Sequence, residues 1–184
     1  METDIRISRG GFVVIKLLVN GVVCLLVRKN LKWKDVNLIG GHEKDRDQGS
    51  LMKAAQRELW EEVPSIRDMS DLVLVPLTGE VRYGPVLSRS AGQETSYEVQ
   101  FFLLRMDGNP ANLLNNLGVR TLNVLIPQDE ILRNENGRVS GLISFLNRTV
   151  PSGIAGIPLS SQLNIKPFGR WAEKQHDQLA FAWT

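Results

Sequence analysis

Ser50-Leu51-Met52-Lys53-Ala54-Ala55-Gln56-Arg57-Glu58-Leu59-Trp60-Glu61-Glu62-Val63 is the stretch around which the chain is organised. It reads as one short helix. Residues three and four apart are neighbours on a helix surface, so Glu58, Glu61 and Glu62 fall into one acidic cluster. Leu51, Met52, Ala55, Leu59 and Val63 form a stripe suited to burial. Like charges repel at this spacing, Pro64 ends the helix, and the glutamates crowd its negative dipole end. Arg57 precedes Glu61, the weaker order for an i,i+4 pair. A solvated Glu-rich face is the plainer account of Glu-Glu alone. A divalent cation is the other, since Mg²⁺ takes one or two carboxylates and completes its shell with water and phosphate oxygens.

The residues upstream weigh toward the second account. Asn37-Leu38-Ile39-Gly40-Gly41-His42-Glu43 places paired glycines after an apolar run, a pattern for a turn that approaches another group closely. Gly40-Gly41, a loop, and then Arg57-Glu58-Leu59-Trp60-Glu61-Glu62 on a helix resembles the Nudix box of Nudix hydrolases. Residues 22–28, Trp33 and Leu38-Ile39 resemble that family's strand leading into its glycine turn, and the likeness covers about residues 10–150. The sequence departs from the box in its loop, where residues 42–48 stand for the usual five. Gly49 occupies the slot of the loop glutamate, and Pro64 replaces the closing glycine. Glu43, Asp45 and Asp47 are the loop acids available to compensate. An empty acidic slot implies weakened rather than abolished chemistry.

The resemblance implies an α/β (α+β) fold, a Nudix-like α/β/α sandwich around a mixed β-sheet. It implies hydrolysis of the pyrophosphate linkage in a nucleoside diphosphate joined to another moiety, with Mg²⁺ or Mn²⁺ as cofactor. Carried over by motif position, Glu58, Glu61 and Glu62 are metal ligands, with Glu58 also a candidate base. Arg57 orients a glutamate, and Gly41 offers a backbone carbonyl to metal. Gly40, His42, Tyr83 and Glu98 are the substrate-binding candidates. For His42 a solvated loop histidine is the competing account, and Tyr83 and Glu98 have equally ordinary places in a turn and on a strand. A catalytically weak or inactive Nudix-fold domain that binds a nucleotide or a protein is the alternative to the enzyme.

Composition is that of an ordinary globular domain: 184 residues, 42% hydrophobic and 23% charged. A net charge of +2 gives no general attraction to nucleic acid or to a membrane. No run of about 18 apolar residues is present, and Met1-Glu2-Thr3-Asp4 lacks a basic-then-apolar leader pattern. Cys24, the single cysteine, lies in an apolar run and reads as an inert buried thiol, consistent with a reducing, cytoplasmic setting.

Along the chain, residues 1–10 read as a polar lead-in. Residues 12–19 and 22–28 read as strands joined by Asn20-Gly21, a strong hairpin signal. Their near-continuous apolar character predicts a sheet covered on both faces. Further strands are expected at 72–77, 80–87, 97–106 and 119–126, with helical segments at 113–117, 127–132 and 140–150. Residues 1–150 form the Nudix-like domain and 151–184 a C-terminal extension. In it, residues 151–169 run over the surface and 170–183 form a helix. Trp171 and Trp183 would dock that helix on the domain or on a second subunit, as in a homodimer.

Overall fold

The computed structural model describes residues 5–19, 21–69, 72–107 and 122–161. The expected helices at 113–117 and 170–183, with Trp171 and Trp183, lie outside the described residues.

The first apolar run is divided between two sheets. β1 (Arg6–Val14) and β2 (Lys16–Val19) are separated only by Ile15, whose carbonyl accepts from Leu26 N at 2.9 Å. β2 and β3 (Val22–Asn30) make the hairpin expected around Gly21, with Val19 opposite Val22. β4 (Asp35–Asn37) pairs with β3, and β5 (Ile39–His42) returns antiparallel to β1. After α1 (Leu51–Glu62) come β6 (Leu72–Pro76), β7 (Val81–Leu87) and the long β8 (Glu94–Met106). β9 (Asn123–Pro127) pairs with β3, and α2 (Gln128–Arg133), α3 (Gly141–Thr149) and α4 (Gly153–Gly156) follow.

One sheet runs β5-β1-β8-β6, with β7 on the other half of β8; the second runs β2-β3-β4, with β9 on β3. β1 and β8 are parallel and their neighbours antiparallel, so the sheet is mixed. Alternation along β1 explains the unbroken apolar run. Val13, Ile15 and Leu17 meet Ala55 and Leu59 of α1 on one side. Phe12 and Val14 meet Leu142 and Leu146 of α3 on the other. Both faces are covered, as the sandwich requires.

The structure corrects four expectations. Residues 6–10 belong to a strand: Gly10 and Gly11 lie inside β1, paired with Val99 and Gln100. At Gly11 a Cβ would stand 2.1 Å from the Leu51 carbonyl oxygen, so glycine is what lets α1 lie on the sheet. Met52 is exposed and Ala54 takes its place in the buried stripe. β8 begins three residues earlier than read, at Glu94. The segment after Pro151 does not simply run over the surface, since Ile154, Ile157, Ser160 and Ser161 are buried. Ile154 and Ile157 pack in the core beside α3, and Lys16, buried on β2, donates from its ammonium to the carbonyls of Ile154, Ala155 and Ile157 at 2.7–3.0 Å. A buried cation needs such acceptors, and a helix end supplies them. Among the described residues no helix is long and apolar enough to cross a membrane.

Candidate functional site

α1 begins at Ser50, whose hydroxyl accepts from Lys53 N at 3.3 Å, and ends against Pro64, which opens a short 3-10 turn (Pro64–Asp68). This places Arg57, Glu58, Glu61 and Glu62 beside Gly40 and Gly41, which are not the turn their pattern suggests but lie within edge strand β5, paired with Phe12 and Gly11 of β1.

Arg57 ties helix to loop. Its Nε lies 3.0 Å from Asp47 Oδ1 and its Nη2 2.9 Å from Oδ2 and 2.8 Å from the His42 carbonyl. Its Nη1 donates to Glu58 and stands 3.6 Å from Glu61. The hydrogen bonds from Arg57 hold Asp47 down at about 2, and Arg57 in turn is raised above its usual range, first by Asp47. Of the three loop acids, then, Asp47 is the one that meets Arg57. Glu43 is taken by Arg9 at 2.6 Å, and Asp45 is exposed. The slot residue Gly49 has φ +78°, a backbone conformation in which glutamate would be strained. The longer loop thus supplies its buried acid two positions earlier. Only three-dimensional placement separates Asp47 from Glu43 and Asp45; the sequence holds no such signal.

The three helix acids do not stay together. Glu58 presses on Gly41, where a Cβ would come within 2.8 Å of its carboxyl group. Glu61 meets Arg46 at 2.7 Å, while Lys44 Nζ lies between the two acids, 3.8 Å from Glu58 and 4.0 Å from Glu61. Glu62 turns away. It accepts from Gly40 N at 3.0 Å and pairs with Arg28 at 2.6 Å, and burial raises its pKa above the ordinary value. Arg28, at the end of the strand run expected over residues 22–28, is therefore the partner of the last glutamate of the box, a pairing that no local spacing announces.

On the opposite face of β5 and β8 a cleft of about 520 Å³ is lined by Gly40, Gly41, His42, Tyr83, Tyr97 and Arg89, among others. Tyr83 and Tyr97 are opposite each other on β7 and β8, with ring centroids 6.1 Å apart. His42 stacks on Tyr97 at 6.1 Å and its Nδ1 is 2.9 Å from Ser8 Oγ. Loss of solvation first, and then the charge of Arg6, lowers the His42 pKa. Glu98 is not in this cleft. Consecutive strand residues face opposite ways, so Glu98 lies across the sheet from Tyr97, paired with Arg9 at 3.4 Å and Arg82 at 2.9 Å.

Among the described residues, no group of three or more His, Cys, Asp or Glu gathers to hold a metal ion. Two carboxylates do converge, because Glu58 and Glu61 both lie within 4.0 Å of the single ammonium of Lys44. Hard oxygen donors that reach one cationic position fit Mg²⁺ or Mn²⁺, which need no more than two protein carboxylates.

No protein-family model matches the chain, and no curated protein does. Solved structures do. Shewanella oneidensis NrtR is similar at 13% identity and a TM-score of 0.51, over 68% of this chain and 55% of that one. The same protein complexed with a 27mer DNA is similar at 14% identity, with a TM-score of 0.50, over 67% of this chain and 52% of that one. The chain thus spans about half the length of the NrtR chains it matches. A NUDIX hydrolase from Alicyclobacillus acidocaldarius is similar at 16% identity and a TM-score of 0.50, over 91% of this chain and all of the other. The fold of this chain is the Nudix fold.

Proposed function

We propose that this protein is a Mg²⁺- or Mn²⁺-dependent hydrolase of the Nudix type, cleaving the pyrophosphate linkage of a nucleoside diphosphate joined to another group. The observation that supports this most is that Glu58 and Glu61 both lie within 4.0 Å of one ammonium, beside the paired glycines of β5 that border an aromatic cleft. Glu58 and Glu61 hold the ion. When bound, it neutralises the diphosphate and makes water a stronger nucleophile. Arg57 fixes Glu58, and Asp47 fixes Arg57. Glu62 braces β5 through Gly40 N. Gly40 and Gly41 place no side chain between the acids and the cleft, where His42, Tyr97 and Tyr83 offer flat faces to a nucleobase. The buried Cys24 thiol, pushed up to about 11 by burial, takes no part and suits a reducing, cytoplasmic setting.

A panel of nucleoside diphosphate derivatives incubated with Mg²⁺ or Mn²⁺, with phosphate products quantified, tests the reading. Turnover abolished by Glu61→Gln supports it. A second reading, a nucleotide-binding Nudix-fold domain without turnover, draws on a specific feature: Glu58, Glu61 and Glu62 each already face a basic side chain. Nucleotide binding with no hydrolysis under either metal would establish that reading and end the first.

A further inference from the structure

The acids proposed to hold the ion are matched by two cations on the loop between Gly41 and α1. Arg46 Nη2 is 2.7 Å from Glu61 Oε1, and Lys44 Nζ sits 3.8 and 4.0 Å from Glu58 and Glu61. The loop backbone beneath them is anchored independently. Asp47 is held by Arg57, the His42 carbonyl accepts from Arg57, and Lys44 N donates to Asp47 Oδ2 at 2.9 Å. The side chains themselves are loose: 51% of Lys44 and 60% of Arg46 is exposed. Contrast Arg28, the partner of Glu62 at 2.6 Å, which is 36% exposed. Lys44 stands beyond hydrogen-bond distance of both acids, as a shared counter-ion does.

We propose that Lys44 and Arg46 are resident counter-cations of the Glu58–Glu61 pair, which give up those oxygens to a divalent ion and then bind the phosphate oxygens of the substrate. This rests on the hydrolase reading above. Exposed ion pairs are individually weak, so a divalent ion between two carboxylates displaces them readily. The anchored loop keeps both cations beside the ion after displacement. There a diphosphate presents the oxygens that a guanidinium binds through two donors and an ammonium binds as a point charge. The same two side chains thus oppose metal binding and favour diphosphate binding.

The opposition of sign is the test. Mn²⁺ affinity and, in saturating Mn²⁺, the affinity for non-hydrolysable α,β-methylene-ADP are measured by calorimetry on the full chain. Lys44→Met with Arg46→Met is compared with a charge-matched control, Lys53→Met with Arg67→Met. The loop variant is expected to bind Mn²⁺ about two- to fivefold more tightly per cation removed. It should bind the analogue about tenfold more weakly. Its metal-free melting temperature should also fall, because Glu58 and Glu61 then keep only Arg57 as a neutralising partner. A loop variant indistinguishable from the control, or shifted in the same direction for metal and analogue, overturns the proposal alone. Failure of the wild-type chain to bind Mn²⁺ overturns the hydrolase reading and this one with it.

Discussion

Arg57 grips Asp47 with Nε at 3.0 Å and Nη2 at 2.9 Å, so one ion pair joins the loop to the helix that carries the acids. Asp47→Asn removes the charge from that pair and should cost roughly 1.5–3 kcal/mol of stability at neutral pH, the range for hydrogen bonds to charged groups. The pH dependence follows from the depressed Asp47 value, about 2 against an ordinary 3.8. A carboxyl with a lowered folded-state pKa stabilises fully above its unfolded value and loses that contribution as pH falls through the folded one. The gap in melting temperature between wild type and Asp47→Asn should therefore be constant above pH ~5 and close between pH ~4 and ~2. A gap that stays unchanged at pH ~2 would refute the assignment.

Gly11 and Gly41 face α1 from neighbouring strands, yet alanine should act differently at each. A Cβ on Gly11 meets the Leu51 backbone oxygen at 2.1 Å and the Ala55 side chain at 2.9 Å, so α1 must move. Overpacking of this kind costs about 1–3 kcal/mol or more. The atoms nearest a Cβ on Gly41 belong to the Glu58 side chain, at 2.8 Å from its carboxyl group, which can turn aside. Gly41→Ala should melt within a few degrees of wild type but lose roughly 10- to 100-fold in Mn²⁺ affinity, as when a ligand's supporting contacts are disturbed. Calorimetric melting beside metal titration separates the two cases. Unaltered Mn²⁺ binding in Gly41→Ala would count against Glu58 as a ligand.

The parts of this fold legible in the sequence are those set by neighbouring residues. Ser50 and Pro64 bound α1, Gly21 turns the β2–β3 hairpin, and Ser140 caps α3 through Ile143 N. What sequence reasoning missed depends on distant pairing. Residues 6–10 look like a lead-in because Arg6, Ser8 and Arg9 are polar and two glycines follow. Their strand exists through parallel pairing with β8, about 90 positions away, which no local pattern announces. Lys16 gives no hint of burial until the carbonyls of α4 surround it. At the site, helical spacing gathers Glu58, Glu61 and Glu62. Yet Glu62 follows Arg28 and the Gly40 amide instead, a choice made by the strand beneath it.

The cleft offers a separate expectation. Tyr97 has the ring centroids of His42 and of Tyr83 each 6.1 Å from its own. A stacked base gains about 1–3 kcal/mol from such a surface. Tyr97→Ala should therefore raise KM for a nucleoside diphosphate derivative roughly 5- to 100-fold while kcat stays within about threefold. Inorganic pyrophosphate, which has no base to stack, should bind the variant as it binds wild type. Equal loss for both ligands would place the base elsewhere.

Glu61 and Glu62 are adjacent in sequence but meet different partners at the α1 terminus, and the amide substitution should tell them apart. Glu61 is 40% exposed and paired with Arg46, so Glu61→Gln removes a surface ion pair worth about 0–1 kcal/mol. Glu62 is 14% exposed, accepts from Gly40 N, and neutralises Arg28 at 2.6 Å. Glu62→Gln leaves that guanidinium without its charge partner and should cost roughly 1–3 kcal/mol. Metal affinity should follow the reverse order. Glu61→Gln takes a ligand from the pair that meets at Lys44, whereas Glu62→Gln reaches the ion only through the Gly40 amide of β5. Urea denaturation and Mn²⁺ titration on both variants complete the comparison. If Glu62→Gln is the more damaging to Mn²⁺ affinity, Glu62 leaves Arg28 to bind the ion, and the two-carboxylate site described above is wrong.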